Sequence, residues 1–233
     1  MNVLVIAAHP DDEVLGCGGT IARLAAEGAA VSILILANGL TSRANFDSVK
    51  DVDRLRVHHE RARAAGALLG AREVNVAGLP DQKMDTVPLL DITQTIEREL
   101  ARVRPALVFT QHGGDLNLDH AITFRATLTA TRPMAGGVVR ELYSYEVPSS
   151  SEWAFGQFEP RFQPSVFFDI SAHLDAKIAA MQVYESETRA FPHPRSPEAL
   201  RALALQRGAA AGLPARDNQI FNRIAATGKA KGS

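Results

Sequence analysis

The chain has 233 residues, of which 46% are hydrophobic and 22% are charged. This length suffices for one sizeable core, so we expect a single domain over residues 1–228 and a disordered tail at 229–233. The net charge of −1 provides no overall field that would attract nucleic acid or an anionic membrane. The composition therefore favours a protein that binds a small molecule.

The cysteine content and the N-terminus indicate where the protein works. Cys17 is the single cysteine, so neither an internal disulfide nor a cysteine-based zinc site is available. The opening "MNVLVIAAHPDDE" has no basic region, and its apolar stretch is too short for a signal peptide. No segment approaches the roughly 18 apolar residues of a membrane-spanning helix. We expect a cytoplasmic protein without a membrane partner.

The first half of the chain alternates between strand and helix patterns. Short apolar runs predict buried strands at residues 3–8, 31–37, 73–76 and 106–110, and helical spacing predicts helices at 20–27, 53–69 and 89–103. This β-α-β alternation predicts an α/β fold with a mostly parallel central sheet and helices on both faces.

The second half continues with a helix, two strands and a second helix. The predicted segments are a helix at 119–131, strands at 141–145 and 165–170, and a long helix to about residue 188. Ser171 is the expected cap of that last helix. Three prolines within residues 192–197 predict a loop there.

Two polar clusters follow two of the predicted strands. "HPDDE" at 9–13 follows the first strand, and "QHGGDLNLDH" at 111–120 follows the fourth. In a doubly wound sheet of order 3-2-1-4-5, ligands bind where the carboxyl ends of strands 1 and 4 meet. The sequence therefore predicts one crevice formed by residues about a hundred positions apart.

The residue types in these clusters point to metal chemistry. His9, His120 and a carboxylate form a nitrogen and oxygen ligand set that suits tetrahedral zinc with one open position. Such a metal makes hydroxide available near neutral pH, and a neighbouring carboxylate then acts as general base. Asp11 and Asp12 can divide these two roles. The alternative is an ordinary turn, with an aspartate capping a helix and "GCGG" allowing a tight bend.

These motifs resemble those of a known family. "AHPDDEVLGCGGTIARLAAEG" resembles the signature opening of the PIG-L/LmbE-like deacetylases, and "HGGDLNLDH" resembles their second metal motif. "ERARAAGALLGAREVNVAGLPD" and, more loosely, "HPRSPEALRALALQRGAAAG" extend the resemblance over most of the chain. The resemblance implies a Rossmann-like, three-layer LmbE-like fold. It also implies a zinc-dependent enzyme, often a homo-oligomer, that removes acetyl from N-acetylglucosamine-type sugars and conjugates.

The resemblance also implies specific residue roles. His9, Asp12 and His120 correspond to the zinc ligands, and Asp11 corresponds to the base that deprotonates the attacking water. Asp119 corresponds to a carboxylate that orients neighbouring groups.

One position departs from the family pattern. Most members have "HPDH" where this chain has "NLDH", so Asn117 replaces the histidine usually offered as general acid. An amide cannot protonate a leaving amine, although it can hydrogen-bond a developing oxyanion. The general acid is then either Asp11 in a second role or His112.

Other polar residues are candidates for substrate contact. We expect Asp81 to bind sugar hydroxyls and Arg43 to reach an anionic group, and we place His193 and Arg195 in a late loop that contacts substrate. His58 and His59 share one helix, and we predict that they lie on its solvated face.

Two alternative functions remain at this stage. A nucleotide-binding Rossmann module would use "GCGG" to hold a pyrophosphate, but Ile21 stands where the fingerprint needs glycine, and no acid ends the second strand. A metal-dependent amidase acting on another sugar-amine conjugate is compatible with the same motifs. The expected substrate is an N-acetylated amino sugar, and nucleic acid is not an expected partner.

Overall fold

The computed structural model describes residues 1–42, 47, 50–134 and 137–222, with the backbone alone at 216 and 218–222. Within these residues the strands are β1 (Asn2–Ala7), β2 (Ala30–Ala37), β3 (Glu73–Leu79), β4 (Leu107–Gln111), β5 (Glu141–Tyr145), β6 (Val166–Asp169) and β7 (Arg216–Asn222). The α-helices are α1 (Asp12–Ala26), α2 (Val52–Leu68), α3 (Leu89–Val103), α4 (Leu118–Ala130), α5 (Leu174–Val183) and α6 (Pro197–Ala210). Short 3-10 helices cover Met84–Thr86 and Glu152–Ala154.

The described strands form one sheet in the order β3-β2-β1-β4-β5-β7-β6. The five strands from β3 to β5 are parallel, and β7 pairs antiparallel with both β5 and β6. The predicted order 3-2-1-4-5 is confirmed. The carboxyl ends of β1 and β4 therefore lie side by side at the point where the chain reverses its winding direction.

Helices cover both faces of the sheet and bury two separate cores. Along β1, Val3, Val5 and Ala7 face one core, while Leu4 and Ile6 face the other. The first core lies under α1, α2, α5 and α6, and the second lies under α3 and α4. Both faces of β1 are thus apolar, which is why its sequence is a continuous apolar run rather than an alternating pattern.

Helix α1 begins earlier than predicted. It starts at Asp12 rather than at residue 20, and it contains "GCGG" with a kink at Cys17, where φ is −135° and ψ is 24°. A Cβ atom on Gly16 would lie 2.1 Å from Tyr145 Cδ2, and one on Gly19 would lie 2.7 Å from Ile170 Cδ1. The alternative of a tight bend at "GCGG" is not observed, because these glycines lie within a helix and allow its close packing.

The last third of the chain departs most from the predicted elements. The helix predicted to run from Ser171 to about residue 188 covers only Leu174–Val183, and the Ser171 hydroxyl donates to Asp169 instead of capping it. The proline-rich loop ends at Ser196, whose hydroxyl accepts a hydrogen bond from the Ala199 N–H at the start of α6. Neither α6 nor β7 was predicted from the sequence. Within the described residues, no helix has the length and apolar character needed to cross a membrane.

Candidate active site

The turn after β1 carries the first polar cluster in a constrained backbone. Asp11 has φ of 118°, which is rare for a non-glycine residue and costs on the order of 1–3 kcal/mol. The Glu13 carboxylate accepts from the Asp11 N–H at 3.1 Å, and the Asp12 carboxylate accepts from the His9 N–H at 2.8 Å. These local hydrogen bonds hold the turn so that its side chains enter the crevice.

Three side chains from the two polar clusters converge at the end of the sheet. His9 Nδ1 lies 3.3 Å from His120 Nε2, and Asp12 Oδ2 lies 3.2 Å from each of these nitrogens. All three residues are buried, and their ligand atoms lie within 4.8 Å of one another. Gln111, the last residue of β4, donates to Asp12 Oδ2 at 2.9 Å. The predicted meeting of the two clusters is confirmed.

The remaining ring nitrogens of both histidines face carboxylates. His9 Nε2 lies 3.0 Å from Asp119 Oδ2, and His120 Nδ1 lies 3.2 Å from Asp115 Oδ1. Histidines that ligate metals usually have such a partner, because it selects the tautomer and orients the ring. The two nitrogens and one oxygen that remain are the ligand types that zinc accepts. The residues present therefore fit a divalent metal.

Sequence reasoning did not single out Asp115, which begins the "DLNLDH" segment. Its carboxylate accepts from the hydroxyls of Ser150 and Ser151, the latter at 2.6 Å, and from the Asn117 N–H at 2.9 Å. These contacts orient the carboxylate toward His120. The sequence signal that could have identified Asp115 is its position five residues before the candidate ligand His120, within the same motif.

The carboxylates perturb the pKa values of both candidate histidine ligands. Burial alone would lower the pKa of His9, but Asp119 and Asp12 outweigh it and raise the pKa to about 10. His120 behaves in the same way, since Asp12 and Asp115 raise its pKa to about 9 against the effect of burial. Burial would raise the pKa of Asp12, but the two imidazoles hold it well below the usual range. The carboxylates of the site therefore favour a positive charge between them, on the imidazoles or on a bound cation.

Asp11 lies beside this group but makes different contacts. Arg195 Nη1 donates to Asp11 Oδ2 at 2.6 Å, and both residues line the crevice. Burial raises the pKa of the Asp11 carboxyl well above its usual range, although the Arg195 guanidinium opposes this shift. Asp11 is absent from the group of convergent ligand atoms, so the two neighbouring aspartates occupy different environments.

The Glu13 carboxylate connects this turn to Tyr184. It is buried, and Tyr184, which precedes the late loop, donates its hydroxyl to Glu13 Oε1 at 2.6 Å. Burial raises the pKa of Glu13 to about 7, while the hydrogen bond from Tyr184 acts in the opposite direction. Tyr184 was not identified from the sequence because it lies 171 residues away from Glu13.

Asn117, which replaces the family histidine, and His112, one alternative for the general acid, are placed differently. Asn117 lines the crevice and caps α4, where its side-chain oxygen accepts from the Asp119 N–H at 2.9 Å. His112 does not line the crevice, because its Nε2 donates to the Pro160 carbonyl at 2.5 Å and its ring packs against Phe162. His112 was one of two alternatives for the general acid, and a backbone carbonyl engages its Nε2 here.

Three of the four predicted substrate-contact residues lie in the described part of the chain. Asp81 lines the crevice, where its Oδ1 lies 3.4 Å from His9 Nε2 and its Oδ2 accepts from Ser42. His193 packs against Trp153 and does not line the crevice, and Arg195 contacts Asp11. Arg43 lies outside the described residues.

His58 corrects a prediction made from the sequence. It is buried and lines the crevice instead of lying on a solvated helix face. A Cβ on Gly39, just beyond β2, would lie 2.5 Å from His58 Nε2, so the ring packs against this turn. The helix α2 is polar over most of its surface, and spacing alone therefore did not identify its inward side. His59 is only half-buried.

Taken together, the protein is a three-layer α/β protein with a candidate divalent-metal centre at the topological switch point. The chain belongs to the PIG-L family, the GlcNAc-PI de-N-acetylases, whose family model matches residues 4–131. The matched segment contains both polar clusters. De-N-acetylases hydrolyse amide bonds, so the family is one of hydrolytic enzymes.

Named relatives agree with this assignment. The chain is 28% identical over 191 residues to the uncharacterized deacetylase YaiS of Escherichia coli, which covers 79% of this chain and 91% of the relative. It is 26% identical over 196 residues to a probable N-acetyl-α-D-glucosaminyl L-malate deacetylase of Bacillus cereus, covering 82% and 85% of the two chains.

Solved structures share the fold over nearly the whole chain. The conserved protein TT1542 of Thermus thermophilus is 26% identical with a TM-score of 0.72, covering 94% of this chain and 93% of that one. The 4-carboxy-2-hydroxymuconate hydratase GalB of Pseudomonas putida is 24% identical with a TM-score of 0.69, covering 96% and 98% of the two chains. Since one of these neighbours is a hydratase, the fold by itself does not specify the reaction.

Proposed function

We propose that this protein is a zinc-dependent deacetylase that hydrolyses the N-acetyl group of an N-acetylglucosamine-type sugar or sugar conjugate. The proposal rests on one observation: the ligand atoms of His9, Asp12 and His120 converge in a buried cluster, and Asp11 lies beside it with different partners. The family description and the names of the relatives support the choice of substrate class.

The proposed ligands are His9 Nδ1, His120 Nε2 and Asp12 Oδ2. When bound there, zinc polarises the acetyl carbonyl and makes water acidic enough to react near neutral pH. Asp119 and Asp115 hold the two imidazoles in the ligating tautomer and orientation through their other ring nitrogens.

Asp11 is the proposed general base. Arg195 engages its Oδ2, so Oδ1 is the oxygen assigned to accept a proton from the attacking water. Water attack on the acetyl carbonyl carbon then forms a tetrahedral intermediate. The carbon–nitrogen bond breaks, acetate leaves, and the proton held by Asp11 passes to the departing amine.

Asp11 is also the favoured general acid, since His112 is turned toward Pro160 and Asn117 cannot donate a proton to an amine. Asn117 serves a different purpose in this proposal. Its side-chain oxygen is engaged at the start of α4, which leaves its amide N–H groups to donate to the developing oxyanion.

Asp81, on the crevice wall, is proposed to bind sugar hydroxyls. His193 is proposed to contact substrate from the late loop, and Arg43 is proposed to reach an anionic group on the substrate, as expected from the sequence. The cytoplasmic location and the homo-oligomeric state expected from the sequence stay predictions.

The proposal is tested by metal analysis and by acetate release from a panel of N-acetylglucosamine derivatives. We expect about one zinc per chain and loss of both zinc and acetate release in His9→Ala. His173→Ala, which alters a partly exposed histidine at the start of α5, is the matched control and should retain both. An unchanged zinc content in His9→Ala would disprove the ligand assignment.

The alternative of an amidase acting on another sugar-amine conjugate uses the same residues and the same metal. A panel of conjugates with acyl groups other than acetyl separates the two functions. Cleavage of those conjugates without acetate release from any N-acetyl sugar would favour the amidase.

A further inference from the structure

We propose that Arg195 is a positioning residue whose guanidinium sets the orientation of the Asp11 carboxylate. This inference rests on the proposed function, in which Asp11 is the general base. The contact joins residues 184 positions apart, and Arg195 Nη1 lies 2.6 Å from Asp11 Oδ2. Arg195 was predicted from the sequence to contact substrate, and the geometry points to a different role.

The guanidinium is held at more than one point. Its Nε donates to the Ser149 hydroxyl at 2.6 Å, and its Nη1 lies 3.7 Å from Glu187 Oε2. The side chain is 23% exposed. Because a guanidinium is planar, two hydrogen bonds to different partners fix its direction as well as its position. The arginine is therefore a rigid part of the crevice wall.

The backbone at the base of this side chain is also fixed. The Arg195 N–H donates to His193 Nδ1 at 3.1 Å, and the next residue, Ser196, caps α6 through its hydroxyl. Helix α6 packs against the core under α1. The Arg195 side chain that reaches Asp11 thus extends from a backbone that is held at the start of α6.

Asp11 needs such an anchor because its own turn fixes only its backbone. The Glu13 carboxylate holds the Asp11 N–H, but this contact leaves the side-chain torsions of Asp11 undetermined. Arg195 binds one carboxylate oxygen and thereby restricts the direction of the other. A small displacement of a reacting group from its productive geometry can cost about 100-fold in rate.

Arg195→Ala in the zinc-loaded enzyme is the first test. We expect kcat to fall by about 100-fold while KM changes by less than about threefold and the zinc content is unchanged. Added guanidinium ion should restore part of kcat, and Arg195→Lys should recover less because an ammonium lacks the planar fork. Arg201→Ala removes an exposed arginine of α6 that pairs with Asp175 and is the matched control.

A double variant distinguishes positioning from an independent contribution. If Arg195 acts through Asp11, then Asp11→Asn combined with Arg195→Ala should have the kcat of Asp11→Asn alone. Multiplicative losses would overturn the proposal. A raised KM at unchanged kcat in Arg195→Ala would do so as well, because it would identify a substrate contact.

A crystal structure of zinc-loaded Arg195→Ala gives a readout that needs no substrate. We expect the Asp11 carboxylate to turn away from its present direction or to occupy more than one rotamer, and an unchanged carboxylate overturns the proposal. Arg195→Gln serves the same purpose if the alanine variant does not fold. If the wild-type enzyme releases no acetate, the deacetylase function fails, while this structure still decides the role of Arg195.

Discussion

Two adjacent aspartates in one turn have different surroundings, and that difference organises the whole candidate site. Asp12 Oδ2 lies between two imidazoles and accepts from Gln111, whereas Asp11 Oδ2 accepts from Arg195. Because consecutive side chains of a turn point in different directions, one can ligate a metal while the other moves a proton. The "HPDDE" motif alone contains both carboxylates but does not show which partners each one finds.

Exchanging each aspartate for asparagine tests this division of roles. We expect Asp11→Asn to retain zinc and lose about 10²- to 10⁴-fold in kcat, the range typical for removing a general base. Asp12→Asn should lose zinc affinity. Zinc content measured on both purified variants, alongside kcat, checks the assignment, and equal zinc contents would contradict it.

The pKa values of the histidines predict how metal binding depends on pH. The pKa values of about 10 for His9 and about 9 for His120 lie above the ordinary value of 6.5, so both rings carry protons at neutral pH before a metal binds. The stability that these protons contribute to the metal-free protein is complete below about pH 6.5 and is lost as pH rises toward 9–10.

A metal must displace those protons, so its affinity should increase with pH. We expect the zinc affinity to rise by roughly 100-fold per pH unit between about pH 6.5 and 8.5, since two protons leave. Calorimetry in buffers of different ionisation enthalpy measures the number of protons released. A zinc affinity that does not change across this range would contradict the expectation.

At the scale of elements, α1 shows how glycines serve packing rather than turning. The helix runs close to β5, because Gly16 leaves room for the Tyr145 ring, whose hydroxyl donates to the Ile6 carbonyl of β1. Gly19 leaves room for Ile170 in the same way. The close approach places the start of α1, and with it Asp12, against the end of the sheet.

Alanine substitutions within this one helix test the packing argument. We expect Gly19→Ala to destabilise the fold by about 1–3 kcal/mol, because its Cβ would lie 2.7 Å from Ile170 Cδ1 and force a shift in the core. Gly18→Ala is the matched control. Its Cβ would lie 3.2 Å from Lys177 Cγ and 3.3 Å from Val14 Cγ1, which is farther than the 2.7 Å contact at Gly19. Alanine also favours helix, so we expect a smaller loss. Urea unfolding of both variants makes the comparison.

At the scale of the whole molecule, β7 near the end of the described chain connects elements from distant parts of the sequence. Asp217 of β7 is buried, pairs with Lys177 of α5 and accepts from both the N–H and the hydroxyl of Thr20 in α1. One carboxylate thus joins a strand and two helices from distant parts of the sequence. It also satisfies a backbone N–H of α1 three residues beyond the kink at Cys17.

Removing one member of the buried Asp217–Lys177 ion pair should lower the stability of the fold. We expect Asp217→Ala to lower the free energy of unfolding by about 3–5 kcal/mol, because Lys177 would remain buried without its counter-charge. Asp175→Ala, which removes an exposed ion pair with Arg201, should change it by less than about 1 kcal/mol. A small loss in Asp217→Ala, measured by denaturant unfolding, would show that water reaches Lys177.

Much of the site was predictable because its residues follow strands whose order the sequence indicates. The apolar runs predict β1 and β4, and the rule for doubly wound sheets brings His9 and His120 together. Predictions failed where orientation mattered. His58 was expected on a solvated helix face, and His112 was one of two alternatives for the general acid. The sequence did not indicate that His58 lines the crevice or that His112 donates to a backbone carbonyl.

The amino-acid sequence by itself determined the parallel core of the sheet, the two polar clusters and their meeting point, because apolar periodicity and strand ends are local properties of the chain. Only the tertiary structure decided which partners surround the reacting groups. Arg195, Tyr184 and Asp217 reach the first helix and its preceding turn from the last third of the chain. Contacts at such separations depend on how whole elements pack, and no spacing within a motif encodes them.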